Sequence, residues 1–131
     1  MKTSLALLAL LPLLAAAGCS GRTETKSKGH TYTVRARVSQ LPGQGGGLVL
    51  THEPIDDWVG YSGKVEGMDT MTMPFPVAAG VSLQGIEPGD VVEVQLHADW
   101  TADPGEAVQI TGVRELPRDT RLDFRDAKPK P

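Results

Sequence analysis

The sequence predicts an all-β protein, built as a small barrel of five strands. Two observations predict this class: apolar and polar residues alternate in several short runs, and compact Pro-Gly turn motifs separate these runs. Alternation with a period of two is typical of a strand that buries one face. No stretch of ten or more residues has the spacing of an amphipathic helix, so a curled sheet is the expected architecture.

The five strands are expected at residues 31–39, 47–52, 70–77, 90–98 and 106–115. In the first and fourth strands the inward-facing residues are predicted to be Tyr32, Val34, Ala36 and Val38, and Val92, Val94 and Leu96. Gly112 interrupts the fifth run and is expected to mark a β-bulge. Five short strands in fewer than 100 residues favour a closed or partly open OB-type barrel.

Three predicted turns share one design, LPGQ at 41–44, EPGD at 87–90 and DPGE at 103–106. Proline presets φ at the second position of a turn, and glycine accepts a positive φ at the third. Each turn is therefore expected to be of type II.

Residues 1–18 are predicted to be a lipoprotein signal peptide rather than part of the fold. Lys2 supplies a positive start, and the apolar run at 5–17 is too short to span a membrane comfortably. The following AAAGCS resembles the lipobox of bacterial lipoproteins, which implies lipidation of Cys19 and firm anchoring. Ser20 after the cysteine implies sorting to the outer membrane; the alternative is a plain signal peptide cut after AAA.

The rest of the chain divides into a polar flexible tether at 19–30, a domain at 31–117 and a charged, loose tail at 118–131. The chain has 13 basic and 16 acidic residues, and loss of Lys2 with the signal peptide changes the formal net charge from −3 to −4. This mild acidity argues against a nucleic-acid partner, which would require a basic face.

The cysteine count limits the chemistry, since Cys19 is the one cysteine of the chain. Its lipidation would leave no thiol for a disulfide or for a metal. A site for a soft metal ion would therefore have to use thioether and imidazole side chains.

Three of the four methionines lie in MDTMTMPF at 68–75. On a strand, Met71 and Met73 point to the same side and lie about 6.5–7 Å apart along the chain. Met68 belongs to the preceding loop and can fold back towards them. His52 ends the second strand, so its imidazole would meet the thioethers if the second and third strands are neighbours.

Thioether sulfur is a soft, neutral donor that selects Cu(I), and Ag(I) as its mimic, over hard or borderline ions. Zinc would prefer thiolate, imidazole or carboxylate. A site of His and Met without Cys also suits an oxidising compartment. The alternative is that Met71, Met73, Phe75 and Val77 simply fill the core, because methionine packs well into irregular gaps.

The stretches THEPI, MDTMTMPF and LQGIEPGDVVEVQL together resemble the periplasmic copper-binding family typified by CusF, over residues 31–114. The resemblance implies a five-stranded OB-type barrel that binds Cu(I). It implies that His52 is the histidine ligand and that Met71 and Met73 are two methionine ligands.

Two departures from the family pattern extend the predicted site. The founding members have tryptophan three residues before M-T-M; this chain has Met68 there, as in relatives with HEEIPGYMPAMTMPF-like segments, which implies a third thioether. The linker at 55–67 is longer than usual and contains Trp58, which could cap the ion through a cation–π contact. The alternative for Trp58 is a hydrophobic anchor that packs this loop onto the barrel.

Other polar residues are expected to be peripheral. Asp56, Asp57 and Glu66 are interpreted as a solvated loop surface, with attraction of a cation or docking of a basic partner as alternatives. His30 and His97 are interpreted as exposed polar residues rather than ligands.

The function expected from the sequence is that of a monomeric, lipid-anchored periplasmic protein that binds Cu(I), and also Ag(I), for handover or detoxification. Its expected partner is a copper-efflux or oxidase-assembly protein that receives or donates Cu(I). No nucleophile–His–acid set, phosphate loop or HExxH motif is present, and all-soft ligation favours one oxidation state, so an enzyme is not expected. The alternative is a structural or protein-interaction lipoprotein domain whose methionines are core.

Overall fold

The computed structural model describes residues 29–44 and 46–130, which form one antiparallel sheet of five strands. The strands are β1 (His30–Gln40), β2 (Leu48–His52), β3 (Met71–Phe75), β4 (Val91–Ala98) and β5 (Val108–Leu116). Their spatial order is β3-β2-β1-β4-β5. In the described part of the chain the one helical segment is a 3₁₀ turn at Pro104–Glu106. The all-β prediction and its five strands are confirmed.

The core lies on the inner face of the sheet, and β1 and β4 form its centre because alternate residues of both strands point inwards. All the inward-facing residues predicted for these strands are buried: Tyr32, Val34, Ala36 and Val38, and Val92, Val94 and Leu96. Leu50, Phe75 and Ile110 complete the core from β2, β3 and β5. Full burial of one such large apolar side chain contributes about 1.5–3 kcal/mol.

The barrel is partly open. Within the described residues no continuous ladder joins β3 to β5, the two edge strands. Immediately after β3, however, Val77 forms a parallel bridge with Ile110. The Ile110 amide donates to the Pro76 carbonyl at 2.8 Å, and the Ala78 amide donates to the Ile110 carbonyl at 2.9 Å. This short contact brings the two edges together at one end, as in an incompletely closed OB-type barrel.

The predicted bulge in β5 is present. Gln95 of β4 pairs with Gly112 and the next residue, Leu96, pairs with Ile110, so Thr111 is the extra residue of β5. A glycine beside the extra residue allows the strand to bend there.

The type II prediction holds for one of the three turns. In EPGD, Gly89 has φ of 89° and the Asp90 amide donates to the Glu87 carbonyl at 3.1 Å. Gly43 and Gly105 do not have a positive φ, so the prediction is wrong for LPGQ and DPGE. The DPGE segment instead forms the 3₁₀ turn, which Ala107 continues with φ −60° and ψ −33° before β5 begins.

The signal peptide, the lipidated Cys19 and most of the tether were predicted for residues that lie outside the described part of the chain. Among the described residues, no helix is long and apolar enough to cross a membrane.

Candidate metal centre

The pairing of β2 with β3 brings the predicted histidine and methionines onto one face. The two strands are antiparallel neighbours, with His52 directly opposite Met71 and Leu50 directly opposite Met73. Residues directly opposite each other in such a pair have Cβ atoms about 4.5–5.5 Å apart. The imidazole and the Met71 thioether therefore leave the backbone as cross-strand neighbours.

A hydroxyl pair on the other side of the sheet confirms which face carries these residues. Thr51 Oγ1 and Thr72 Oγ1 lie 2.6 Å apart on the exposed outer face. Because side chains alternate along a strand, the residues on either side of Thr72, Met71 and Met73, lie on the inner face with His52.

His52 is fully buried and has one ring nitrogen without a partner. Its Nδ1 lies 2.6 Å from the Glu53 carbonyl oxygen, which can only accept a hydrogen bond. Nδ1 must therefore carry the proton, and Nε2 carries a free lone pair. Among the described residues Nε2 of His52 is the one buried side-chain nitrogen or oxygen with no hydrogen-bond partner. An imidazole held in this tautomer by a carbonyl has the form in which histidine binds metals.

Burial also keeps this imidazole neutral. Desolvation lowers the pKa of His52 below its ordinary value, and the hydrogen bond to the Glu53 carbonyl raises it by a smaller amount. The lone pair on Nε2 therefore stays free of a proton at neutral pH.

The inner face of β3 changes from buried to exposed along the strand. Phe75 is 1% exposed, Met73 is partly buried against the core, and Met71 is 44% exposed. The ring of His52 lies edge-on to Phe75, with centroids 5.7 Å apart. The site thus lies where the core ends and solvent begins, so that the Met71 thioether is accessible and Met73 also contributes packing.

Met68 is fixed close to the chain that follows His52. It forms an isolated antiparallel bridge with Ile55, in which the amide of each residue donates to the carbonyl of the other at 2.9 Å. Its side chain is partly buried against the core. Met68 lies three residues before β3, and its bridge partner Ile55 lies three residues after His52, so the bridge connects the two segments next to the proposed ligands.

Trp58 lies in an aromatic cluster. It is 5% exposed, its ring centroid is 4.8 Å from that of Tyr32, and Trp100 packs edge-on at 6.0 Å. The Tyr32 hydroxyl accepts from the Val59 amide at 2.9 Å, and Trp100 Nε1 donates to the Val59 carbonyl at 3.0 Å. These contacts correspond to the hydrophobic-anchor alternative; the cation–π cap stays a prediction.

The two remaining histidines belong to the other end of β1. His52 pairs with Ala36, whereas His30 begins β1 and His97 pairs with Thr31. Thr31 Oγ1 lies 3.2 Å from Nδ1 of His97. Neither histidine is brought next to β3 by the strand pairing.

The sequence interpretation missed the C-terminal segment. Residues 118–130 have no regular secondary structure, but the expectation that they are loose is wrong. Arg118 Nε donates to Asp90 Oδ1 at 2.9 Å. Residues 123–129, called here the C-terminal strap, bond to Glu53, Asp56, Asp69 and Thr70.

The strap also changes the interpretation of the acidic loop. Asp56 accepts both terminal nitrogens of the Arg125 guanidinium, at 3.0 and 2.9 Å, and the Lys128 amide at 2.8 Å. The Arg125 hydrogen bonds and then the Lys128 amide lower the pKa of Asp56 to about 2. Asp56 is therefore an anchoring carboxylate rather than a freely solvated one.

The donor set suits a soft ion. In the described residues, no group of three or more His, Cys, Asp or Glu side chains is arranged to hold a metal ion. The donors that the strand pairing places beside His52 are thioethers, and neutral sulfur with imidazole is a set that selects monovalent copper. The residues present therefore fit a copper ion.

An all-β domain with one buried imidazole and two methionines on adjoining strands is an arrangement that suits a soft metal ion. The family model described as copper binding periplasmic protein CusF matches residues 31–114. The chain belongs to this family, which is a family of periplasmic copper-binding proteins rather than of enzymes. No curated protein and no solved structure matches the chain.

Proposed function

We propose that this protein binds one Cu(I) ion through Nε2 of His52 and the thioethers of Met71, Met73 and Met68. The observation that carries the proposal is the buried, unpartnered Nε2 on a residue directly opposite Met71. A buried polar atom without a partner costs about 1–3 kcal/mol, which a bound ion would offset. Ag(I), which has the same charge and softness, is expected to bind in the same way.

The site is suited to transfer of copper rather than to its permanent storage. Met71 is 44% exposed, so a thioether of another protein can approach the ion from solvent. Neutral sulfur ligands exchange one at a time without any proton having to move. We infer a role in handover or detoxification, with a copper-efflux or oxidase-assembly protein as the partner and the chain acting as a monomer.

Anchoring to the membrane is part of the same proposal. The AAAGCS motif supports lipidation of Cys19, which would hold the domain at the outer membrane and limit its search for partners to that surface. An N-terminal peptide of the mature protein whose mass lacks lipid would exclude this anchor.

Anaerobic titration of the mature chain with Cu(I), in competition with a chelator, tests the binding function. We expect one ion per chain, and an affinity loss of at least about 100-fold in the double variant Met71→Leu/Met73→Leu. Leucine conserves volume and should cost less than about 1.5 kcal/mol of apo stability at each position, so the fold is retained. Equal affinities in the wild type and this variant would support the alternative in which the methionines are only core residues.

X-ray absorption of the Cu(I) complex tests the ligand set. One nitrogen and three sulfur neighbours are expected, falling to two sulfurs in Met68→Leu. A sulfur count that Met68→Leu leaves unchanged would remove Met68 from the site.

A further inference from the structure

The C-terminal strap bonds to two segments that adjoin the proposed ligands. One segment, residues 53–56, directly follows His52. The other, residues 67–70, contains Met68 and directly precedes Met71. The strap bonds to both, so it joins the part of the chain that follows His52 to the part that precedes Met71.

The strap holds the methionine segment at three successive points. The Thr70 amide donates to the Arg125 carbonyl at 3.1 Å, and the Arg125 amide donates to Thr70 Oγ1 at 2.9 Å. The Ala127 amide donates to Asp69 Oδ1 at 2.7 Å. At Gly67 an added Cβ would lie 2.8 Å from the Cβ of Ala127, so the strap packs directly against this glycine.

The strap holds the segment after His52 through side chains. The Asp123 amide donates to Glu53 Oε1 at 2.8 Å, and this carboxylate also pairs with Arg35 at 2.7 Å. Arg125 forms the two-point contact with Asp56, and its Nε donates to Asp123 at 2.9 Å. Arg125 is therefore the residue that bonds to both segments, with its backbone on Thr70 and its guanidinium on Asp56.

The contact between Arg125 and Asp56 fixes the relative position of the two segments more than it stabilises the fold. Exposed ion pairs generally stabilise a fold little, although a planar guanidinium on a carboxylate fixes direction as well as distance. Without the strap, the described hydrogen bonds that join residues 53–56 to 67–70 are those of the Ile55–Met68 bridge. Residues 69 and 70, which link Met68 to Met71, would then lack their hydrogen bonds to the strap and would have to be ordered when the ion binds, which reduces affinity.

We propose that the C-terminal strap is a positioning device for the metal centre and that Arg125 is its positioning residue. By fixing residues 67–70 against residues 53–56, the strap adds to the Ile55–Met68 bridge in holding Met68 in place before the ion arrives. This inference rests on the proposed function, because it concerns the same Cu(I) site. Arg125 itself contributes no ligand.

The test compares Arg125→Gln and Asp56→Asn with Arg114→Gln in the mature chain. Arg114→Gln removes a similar contact, 2.9 Å to Glu93, that has no connection to the strap. We expect Arg125→Gln and Asp56→Asn each to weaken Cu(I) binding about three- to tenfold, the effect of ordering one or two side chains on binding. Arg114→Gln should bind as the wild type does.

A double-mutant cycle separates positioning from general destabilisation. If the strap acts through Met68, Arg125→Gln should reduce affinity at least about twice as much in the wild type as in Met68→Leu. In the apo protein, the Thr70 amide should exchange hydrogen faster in Arg125→Gln than in Arg114→Gln.

Wild-type affinity in Arg125→Gln, or an equal loss in both backgrounds, would overturn the positioning role. Failure of the wild type to bind Cu(I) would instead overturn the proposed function, so the two results are distinguishable.

Discussion

The residue that decides the chemistry is His52, because its environment favours a ligand over a structural histidine. A structural histidine buried in a core normally uses both ring nitrogens, since an unpaired one costs stability. Here one nitrogen is bonded to a carbonyl and the other is left free. The protein therefore keeps a locally unfavourable arrangement at the position where a soft ion would bind.

This arrangement predicts that His52→Leu costs little stability in the apo protein. Leucine is close in volume, and removal of the unpaired nitrogen should offset loss of the Nδ1 hydrogen bond to Glu53, so the free energy of unfolding should fall by less than about 1.5 kcal/mol. The control Leu96→Ala, at another fully buried strand residue, should cost about 2–5 kcal/mol. Denaturant titrations of the metal-free variants provide both values. A cost for His52→Leu as large as that of the control would contradict the interpretation of Nε2.

At the scale of single residues, the sequence predicts which side chains are candidate ligands but not the contacts that surround them. Softness and spacing select His52, Met71 and Met73 without coordinates. The free Nε2 could not be predicted, because it depends on the Glu53 carbonyl turning towards Nδ1. The burial of Trp58 against Tyr32 and Trp100 likewise depends on how a long loop folds back.

At the scale of elements, the loop between β2 and β3 is held in place by the strap. Gly67 and Gly63 offer a matched comparison, since both have positive φ, 71° and 79°. An added Cβ at Gly63 meets nothing within 4 Å, whereas at Gly67 it meets Ala127 and Pro129. The difference between the two positions therefore isolates the contact with the strap from backbone strain.

We expect Gly67→Ala to release the strap and Gly63→Ala to leave it bound. Both variants should lose some stability from strain at positive φ. Only Gly67→Ala should also increase protease cleavage within residues 123–129, which mass spectrometry of the fragments can locate. Equal cleavage of the strap in both variants would show that the packing at Gly67 does not hold it.

The strands could be predicted more fully than the loops because burial of one face leaves a regular pattern. The alternation of apolar and polar residues in β1 and β4 predicts which face of each strand is buried. The glycine in β5 predicts the position of the bulge. The conformations of LPGQ and DPGE could not be assigned, since a Pro-Gly pair is compatible with more than one turn and the flanking chain decides between them.

At the scale of the whole molecule, several carboxylates tie the C-terminal segment to the barrel, and two of them have a lowered pKa. Hydrogen bonds from Arg125 lower the pKa of Asp56 to about 2, and the Glu87 amide and then Arg118 lower that of Asp90. A carboxyl group with a lowered pKa in the folded state stabilises the fold above its unfolded pKa. That contribution is lost as pH falls through the folded pKa.

The full chain should therefore have a larger free energy of unfolding than a chain that ends at residue 117. This difference should shrink as the solution becomes acidic. The difference in free energy of unfolding should be constant above about pH 5 and should shrink as pH falls from about 4 towards 2. Urea titrations of both chains at several pH values measure it. A difference that is independent of pH over this range would show that these ion pairs do not hold the segment.

The path of the C-terminal segment is the part of the molecule that the sequence predicts least well. Arg125 and Asp56 are 69 positions apart, and RDTRLDFRDAKPKP offers several bases and acids that could pair in many ways. The charge pattern alone indicates that this segment is solvated. Which charge pairs with which depends on where the fold places the acidic residues of the barrel and its loops.

One feature of β3 affects how these molecules behave when crowded. Pro74 lies within β3, an edge strand, and proline has no N–H with which to pair. In edge strands the missing donor normally faces solvent, which prevents the strand of another copy from extending the sheet. The edge that carries the proposed ligands Met71 and Met73 can thus be open to a visiting side chain and still resist aggregation, even where the proposed lipid anchor would crowd many copies together.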